Sequence, residues 1–249
     1  MGISNDWQNI DEIYFRSVPC SIRDGSCWTE ASAQKMATAI GWEVVKFPDG
    51  ITTIDFDGTS QDATVITMIR PVDNSEPYNI GIFFGTLYRA GGYGYTGIYC
   101  YEISTGNYVT LLSSIQLYAS YLLMRTSAQG CFCIKDRQPR FALFDRFYNP
   151  KTEKEKWGII AGTSFLDLYT GLVITSWDYS HYYLNGANFG GFVALKKFTA
   201  IANNGVYNAL TLYRSYIDYS NVYKNIELDG KRYCGIPATS IPFYIPLAE

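Results

Sequence analysis

The chain has 249 residues, of which 47% are hydrophobic, 16% aromatic and 17% charged, with a formal net charge of −3 at pH 7. That length can bury a large core in one domain or two, while the charged fraction falls well below the roughly 25% of ordinary soluble domains. No basic cluster stands out, which argues against a nucleic-acid partner, because such binding leans on concentrated Lys and Arg facing phosphates.

Residues 1–23 read as an irregular N-terminal arm with one apolar run, Ile10–Phe15. The opening Met-Gly-Ile-Ser-Asn-Asp-Trp has no signal-peptide pattern, and Asp6 stands where a myristoylation pattern wants Ser or Thr. No apolar run approaches the roughly 18 residues of a membrane span, so no membrane partner is expected. The clearest helix is 29–40, which Ser26 or Thr29 can cap and Gly41 can end. Ala33, Met36, Ala37 and Ile40 form its apolar stripe.

Three strand-like runs follow, Trp42–Phe47, Ile51–Phe56 and Ala63–Arg70, separated by Pro48-Asp-Gly50 and Asp57-Gly58. A turn-rich piece, Pro71–Pro77, precedes a long strand candidate at Tyr78–Tyr88. Gly91–Gly97 reads as a flexible loop; lacking a following Lys-Ser or Lys-Thr, it is no phosphate loop. A strand at Ile98–Ile103 and a hairpin turn at Ser104–Asn107 come next. Residues 108–125 fit a helical face, yet their Thr, Ser and Tyr content favours strand, and strand is the reading taken.

Cys131–Lys135 and Phe141–Tyr148 flank a turn at Asp136–Pro139 and read as a hairpin. Lys151-Thr-Glu-Lys-Glu-Lys156, of mixed sign after Asn149-Pro150, reads as a solvated loop. Strand-like runs continue at Trp157–Phe165, Gly171–Tyr179, Gly190–Phe198 and Asn208–Tyr219. Asn225–Leu228, Asp229-Gly230 and Lys231–Cys234 make the best hairpin, since Asp-Gly suits a type I′ turn. Pro237, Pro242 and Pro246 then mark an extended edge rather than a central strand over 235–249. The expected fold is mainly β, an antiparallel β-sandwich-like body over residues 24–249 with one N-terminal helix at 29–40.

The 22 tyrosines combine an apolar ring with a hydroxyl that wants a partner, which suits half-buried strand faces and protein interfaces. The six cysteines form no framework, and reduced thiols made in a cytoplasm are expected.

Two short strings resemble catalytic motifs. Gly25-Ser-Cys-Trp28 at a helix start resembles the papain family of cysteine proteases, which would make Cys27 a nucleophile whose thiolate the helix dipole favours. His181, the sole histidine, would be its base. The family's preceding Cys is Asp24 here, its oxyanion-hole glutamine is Ser21, and no Asn-Ser-Trp follows His181. Cys27 therefore reads as a small buried residue beside a packing Trp28. Asp55-Phe-Asp-Gly-Thr59 resembles the first motif of haloacid dehalogenase-like phosphatases, in which Asp55 would attack phosphorus and Asp57 act as general acid and base with Mg²⁺. Its companion motifs and alternating helices are missing, and Asp-Gly-Thr is also hairpin-turn chemistry. Trp177, Tyr179, Tyr182 and Tyr183 could stack on a sugar ring, with a strand-end aromatic cluster the simpler reading.

As a whole, the texture resembles structural proteins of tailed-bacteriophage particles. The features that carry the resemblance are Tyr/Gly/Asn-rich strands, near absence of His, and the close Ile226-Glu-Leu-Asp-Gly-Lys-Arg-Tyr-Cys-Gly-Ile-Pro237 with its Pro-punctuated tail. The resemblance implies a non-enzymatic virion subunit of tail, baseplate, neck or head, with no cofactor or metal. It would contact copies of itself and other virion proteins, residues 1–23 and 235–249 being the expected contact segments. A host-surface glycan-binding module is the alternative, and a phosphatase acting through Asp55 and Asp57 ranks third.

Overall fold

The computed structural model describes residues 8–10, 13–19, 28–116, 121–127, 130–135, 141–161, 164–174, 196–202, 205–214, 225–228, 230–236 and 243–246. In chain order the elements are β1 (Gln8–Ile10), β2 (Ile13–Pro19), α1 (Glu30–Ile40), β3 (Trp42–Val45), β4 (Thr53–Phe56), β5 (Thr59–Asp62) and β6 (Met68–Pro71). They continue with β7 (Ile80–Tyr88), β8 (Gly94–Glu102), β9 (Tyr108–Gln116), β10 (Tyr121–Ser127), β11 (Gly130–Lys135), β12 (Phe141–Asn149) and β13 (Lys154–Ala161). The last are β14 (Ser164–Asp167), β15 (Val173–Ile174), β16 (Lys196–Ala202), β17 (Gly205–Arg214), β18 (Asn225–Leu228), β19 (Lys231–Ile236) and β20 (Phe243–Pro246). The protein is mainly β, with antiparallel pairing throughout the described ladders and one described helix.

Local chemistry sets the helix. Thr29 is its cap, with extended backbone and Oγ1 accepting the Ser32 N–H at 3.1 Å. Gly41 stops it in the left-handed region at φ 72°, a conformation that glycine, lacking Cβ, adopts at no steric cost. Ala33, Met36, Ala37 and Ile40 are buried, and Trp28, just before the cap, donates from Nε1 to the Thr67 carbonyl and sets its ring 4.9 Å from Phe84.

Strands β3-β6-β7-β8-β9 make one sheet, and β4-β5 a separate hairpin lying across it. Both faces of β7 are therefore covered, which is why its first eight residues are all buried and read as a continuous apolar run. On the hairpin side Phe83 stacks on Tyr99 and Tyr101, and Phe56 of β4 meets Tyr99 edge-on at 5.3 Å. On the opposite side Phe84 reaches Phe144 of β12, and Trp42 of β3 meets Phe144 and Trp157 edge-on at 5.5 and 5.3 Å. Ile159, Leu166 and Leu168 join the same core, so β12–β14 pack face to face on the five-stranded sheet in a sandwich-like arrangement.

The larger sheet runs β1-β2-β10-β11-β12-β17-β20-β19-β18, with β13 on β12, β14 on β13, β15 on β14 and β16 on β17. Several expectations need correction here. Where it is described, the arm is regular rather than irregular: β1 and β2 pair antiparallel, and β2 pairs with β10 from Pro19↔Tyr121 to Tyr14↔Thr126. The third early strand, expected at Ala63–Arg70, is only the short β6 at Met68–Pro71, and an unexpected β5 precedes it. The two-residue Asp57-Gly58 turn forces the chain to pair back at once as β5, and Asp62 then accepts from Thr64 N and Oγ1 to turn it before β6. Strand β8 begins at Gly94, inside the segment expected to be a loop, and the run Trp157–Phe165 is two strands paired from Gly158↔Asp167 to Ala161↔Ser164.

Within the Pro-bearing tail, the described β20 is also not an edge, because it lies between β17 and β19. Pro246 sits at the last ladder position, opposite Tyr233 and beyond the two residues that pair with β17, so its missing N–H removes no bond on that side. The hairpin of β18 and β19 forms as expected, with Gly230 at φ 73°.

Gly158 carries a testable requirement. A Cβ there would lie 2.5 Å from the Phe165 ring and 3.0 Å from that of Phe147, two rings already packed edge-on at 4.8 Å. Gly158→Ala should therefore cost about 1–3 kcal/mol by overpacking. Urea unfolding measures it, and a variant within about 0.3 kcal/mol of the parent would contradict the packing described.

Candidate interaction surface

The β4–β5 hairpin is built by its tip. Asp57 and Gly58 have φ of 51° and 75°, as a type I′ turn needs, and Asp55 Oδ1 accepts the Gly58 N–H at 3.2 Å. Alternation sends Ile54 and Phe56 inward and leaves Thr53 and Asp55 exposed. Phe56 meets Tyr95, Tyr99 and Tyr108 edge-on at 6.1, 5.3 and 5.7 Å. Tyr101 donates its hydroxyl to the Asp55 carbonyl at 3.3 Å; that of Tyr99 donates to the Tyr95 carbonyl and accepts the Leu87 N–H. Burial pushes the Tyr108 phenol up to about 12 and those of Tyr99 and Tyr101 higher, so all three remain neutral donors at physiological pH.

A second hairpin tip, between β7 and β8, lies beside the first. Arg89 N–H donates to the Tyr93 carbonyl, and Gly91 and Gly92 take φ of 95° and 83°. Arg89 reaches across to Asp57, Nη1 to Oδ2 at 3.1 Å, while its guanidinium covers the Tyr95 ring at 5.2 Å. Gln61 Nε2 donates to the Tyr88 carbonyl at 2.8 Å, a second tie between the hairpins. Tyr93 on the second tip stands beside the exposed Arg89–Asp57 pair, and Tyr108 at the start of β9 packs on Phe56 of the first hairpin, each of the two tyrosines 43% exposed. Tyr, Gly and Ser with an Arg anchor is the composition of protein-recognition surfaces, because tyrosine brings large, rigid amphipathic area at low entropy cost.

Elsewhere a buried lysine joins the two sheets. Lys156 of β13 is 4% exposed and bridges Asp73 at 2.8 Å and Glu76 at 3.0 Å, both in the loop between β6 and β7. Its ammonium lies 4.3 Å from the Tyr169 ring centre and 5.6 Å from that of Tyr78, whose hydroxyl accepts the Trp157 N–H. Next to it, buried Asp167 accepts from Asn149 Nδ2, Thr170 Oγ1 and the N–H groups of Tyr169 and Thr170. Every charge here has a partner, which marks a structural clamp. Among the described residues no group of three or more His, Cys, Asp and Glu stands together to hold a metal, and no helix is long and apolar enough to cross a membrane.

The catalytic-looking residues separate. Asp55 and Asp57 sit on a strand end and its turn, the first binding the turn N–H and the second Arg89. Cys27, Trp177, Tyr179, His181, Tyr182 and Tyr183 lie outside the described residues. Lys156, expected in a solvated loop, is buried instead; it shares alternating strand positions with Gly158, the one signal that could have revealed it. The rim of Arg89, Tyr93 and Tyr108 has no local signal in the sequence, because two hairpin tips and the start of β9 compose it. Comparison with protein-family models, with curated proteins and with solved structures finds no match.

The clamp makes stability depend on pH in a defined way. Hydrogen bonding to Lys156 holds the Asp73 and Glu76 carboxyls below the usual carboxylate range. Burial alone would lower the Lys156 ammonium, but the bonds it donates to Asp73 and Glu76 outweigh it and leave it above its ordinary value. The carboxylate contribution is full above the unfolded pKa of about 4 and fades as pH falls through the depressed folded values; the lysine contribution fades only as pH rises beyond about 10.4. Lys156→Met should therefore unfold at lower urea than the parent across neutral pH, and that gap should narrow below about pH 4. A gap of the same size at pH 3 would remove the clamp from the account.

Proposed function

We propose that this chain is a non-enzymatic structural subunit of a tailed-bacteriophage particle, a component of tail, baseplate, neck or head. In this reading it resides in the virion and assembles with copies of itself and other virion proteins through aromatic-rich interfaces, without nucleic acid or membrane. The observation that carries the assembly part is the pair of hairpin tips tied by Arg89 and Asp57, with Tyr93 on one tip and Tyr108 of β9 packed on Phe56 of the other hairpin, both 43% exposed. Low charge and 22 tyrosines support it, as does a mainly β fold. The virion part rests on the general likeness of the sequence to such proteins.

In this reading the rim adds to residues 1–23 and 235–249 as a contact surface; strand β20 is paired on both sides within its own sheet and β2 to β10, while β1 stands at the end of the described sheet.

Mass photometry of the purified chain, beside cryo-imaging of source particles, tests the proposal. Assembly burying well over about 1,000 Å² is expected, the level that separates specific interfaces from packing contacts. Tyr93→Ser combined with Tyr108→Ser should weaken that assembly while leaving the β-rich circular dichroism spectrum intact. A monomer at tens of micromolar that is absent from particles would overturn the proposal, and selective binding of a host glycan by such a monomer would favour the glycan-module alternative.

A further inference from the structure

We infer that the partner of this rim is a second copy of the chain, related by a two-fold axis, with Arg89 of each copy facing Asp55 of the other. The inference rests on the assembly reading above and specifies its geometry. A two-fold contact brings the same patch together twice, so the patch must complement itself. This one carries both signs: the side chain of Arg89 is 39% exposed and that of Asp57 55%, and Asp55 projects from the outward side of β4. A uniformly acidic or basic rim would repel its copy.

Hydrogen-bonding capacity points to the same pairing. A guanidinium has five N–H donors in a fork, and a carboxylate accepts at about four positions. The described bonds use one Arg89 donor, toward Asp57, and one Asp55 acceptor site, toward the Gly58 N–H. Both groups can therefore take a charge-assisted bond across an interface without giving up the bonds that shape the hairpins. Tyr93 and Tyr108 supply apolar area around them.

Strand addition along the adjacent edge strand β9 is the competing geometry. Its register against β8 shifts twice, between Thr96 and Ile98 and between Cys100 and Tyr101. Irregularities of that kind twist an edge and interrupt its ladder, so the contact runs through side chains rather than through a continued sheet.

A charge-swap experiment on the full chain decides the matter. Arg89→Glu and Asp55→Arg are purified separately and then mixed, with the association midpoint read by mass photometry and sedimentation velocity. Each variant alone places like charges across the two-fold and should weaken self-association by about tenfold or more. The equimolar mixture should recover heterodimers to within about threefold of the parent, because each reversed charge then meets its opposite. Arg89→Gln, which removes the charge without repelling Asp57, should also weaken self-association, and melting temperatures close to the parent's show that folding is intact. If the parent assembles and neither variant weakens it, the rim is not the contact, while the assembly reading stands. Weakening without recovery in the mixture overturns the two-fold pairing and points to a different protein partner. A parent chain that stays monomeric removes self-association itself.

Discussion

The edge-on packing of Trp42 against Phe144 and Trp157 is the contact on which the remaining architecture depends. Trp42 begins the first strand after the helix, so fixing its ring fixes where the five-stranded sheet meets β12 and β13. Phe84 joins the group through Phe144, and Trp28 joins through Phe84, which ties the helix start to the same seam. The seam carries a cost, because the buried Trp42 Nε1 has no hydrogen-bond partner. An unmet donor costs about 1–3 kcal/mol, whereas each edge-on ring pair contributes about 0.5–1.5 kcal/mol beyond its buried area. Two such pairs plus the burial of a large indole offset the loss, so packing rather than hydrogen bonding sets the ring's position.

Charge enters this apolar seam at one place. Lys156 lies one residue before Trp157 and points to the side where Asp73, Glu76, Tyr78 and Tyr169 converge. A lone ammonium could not remain charged at such low exposure, and two carboxylates with two ring faces make the burial tolerable. The tie spans 83 residues of sequence, from Asp73 to Lys156, and holds a loop of the five-stranded sheet against a hairpin of the larger one. Its energy is smaller than its geometric effect, since both carboxylates remain partly open to solvent and their attraction is screened.

What could be read from the sequence was whatever a few neighbouring residues decide. The helix was legible because Thr29, the Ala33-to-Ile40 stripe and Gly41 each act within one turn of their effect. Asp57-Gly58 and the hairpin of β18 and β19 were legible for the same reason, as was the mainly β class. Strand β5 was not, because Thr59–Asp62 is polar and half-exposed, and only its pairing to β4 makes it a strand. The central place of β20 was not legible, because Pro246 reads as an edge signal yet stands at the strand's last ladder position, where it leaves the pairing with β17 intact. Lys156 and the Tyr–Arg rim depend on contacts between residues many positions apart, which no local pattern encodes.

The pairing of β2 with β10 has a consequence for how the chain is made. Pro19 lies opposite Tyr121, so β2 emerges from the ribosome 102 residues before the strand that pairs with its inner edge. At synthesis rates of about 5–20 residues per second, that edge waits roughly 5–20 seconds with only β1 beside it. Such a delay is long compared with hairpin formation, which takes about 1–10 microseconds, so β1 and β2 can close long before β10 exists. The nascent chain therefore carries an open strand edge through much of its synthesis, a period in which chaperone binding and neighbouring nascent copies compete for the place that β10 finally takes.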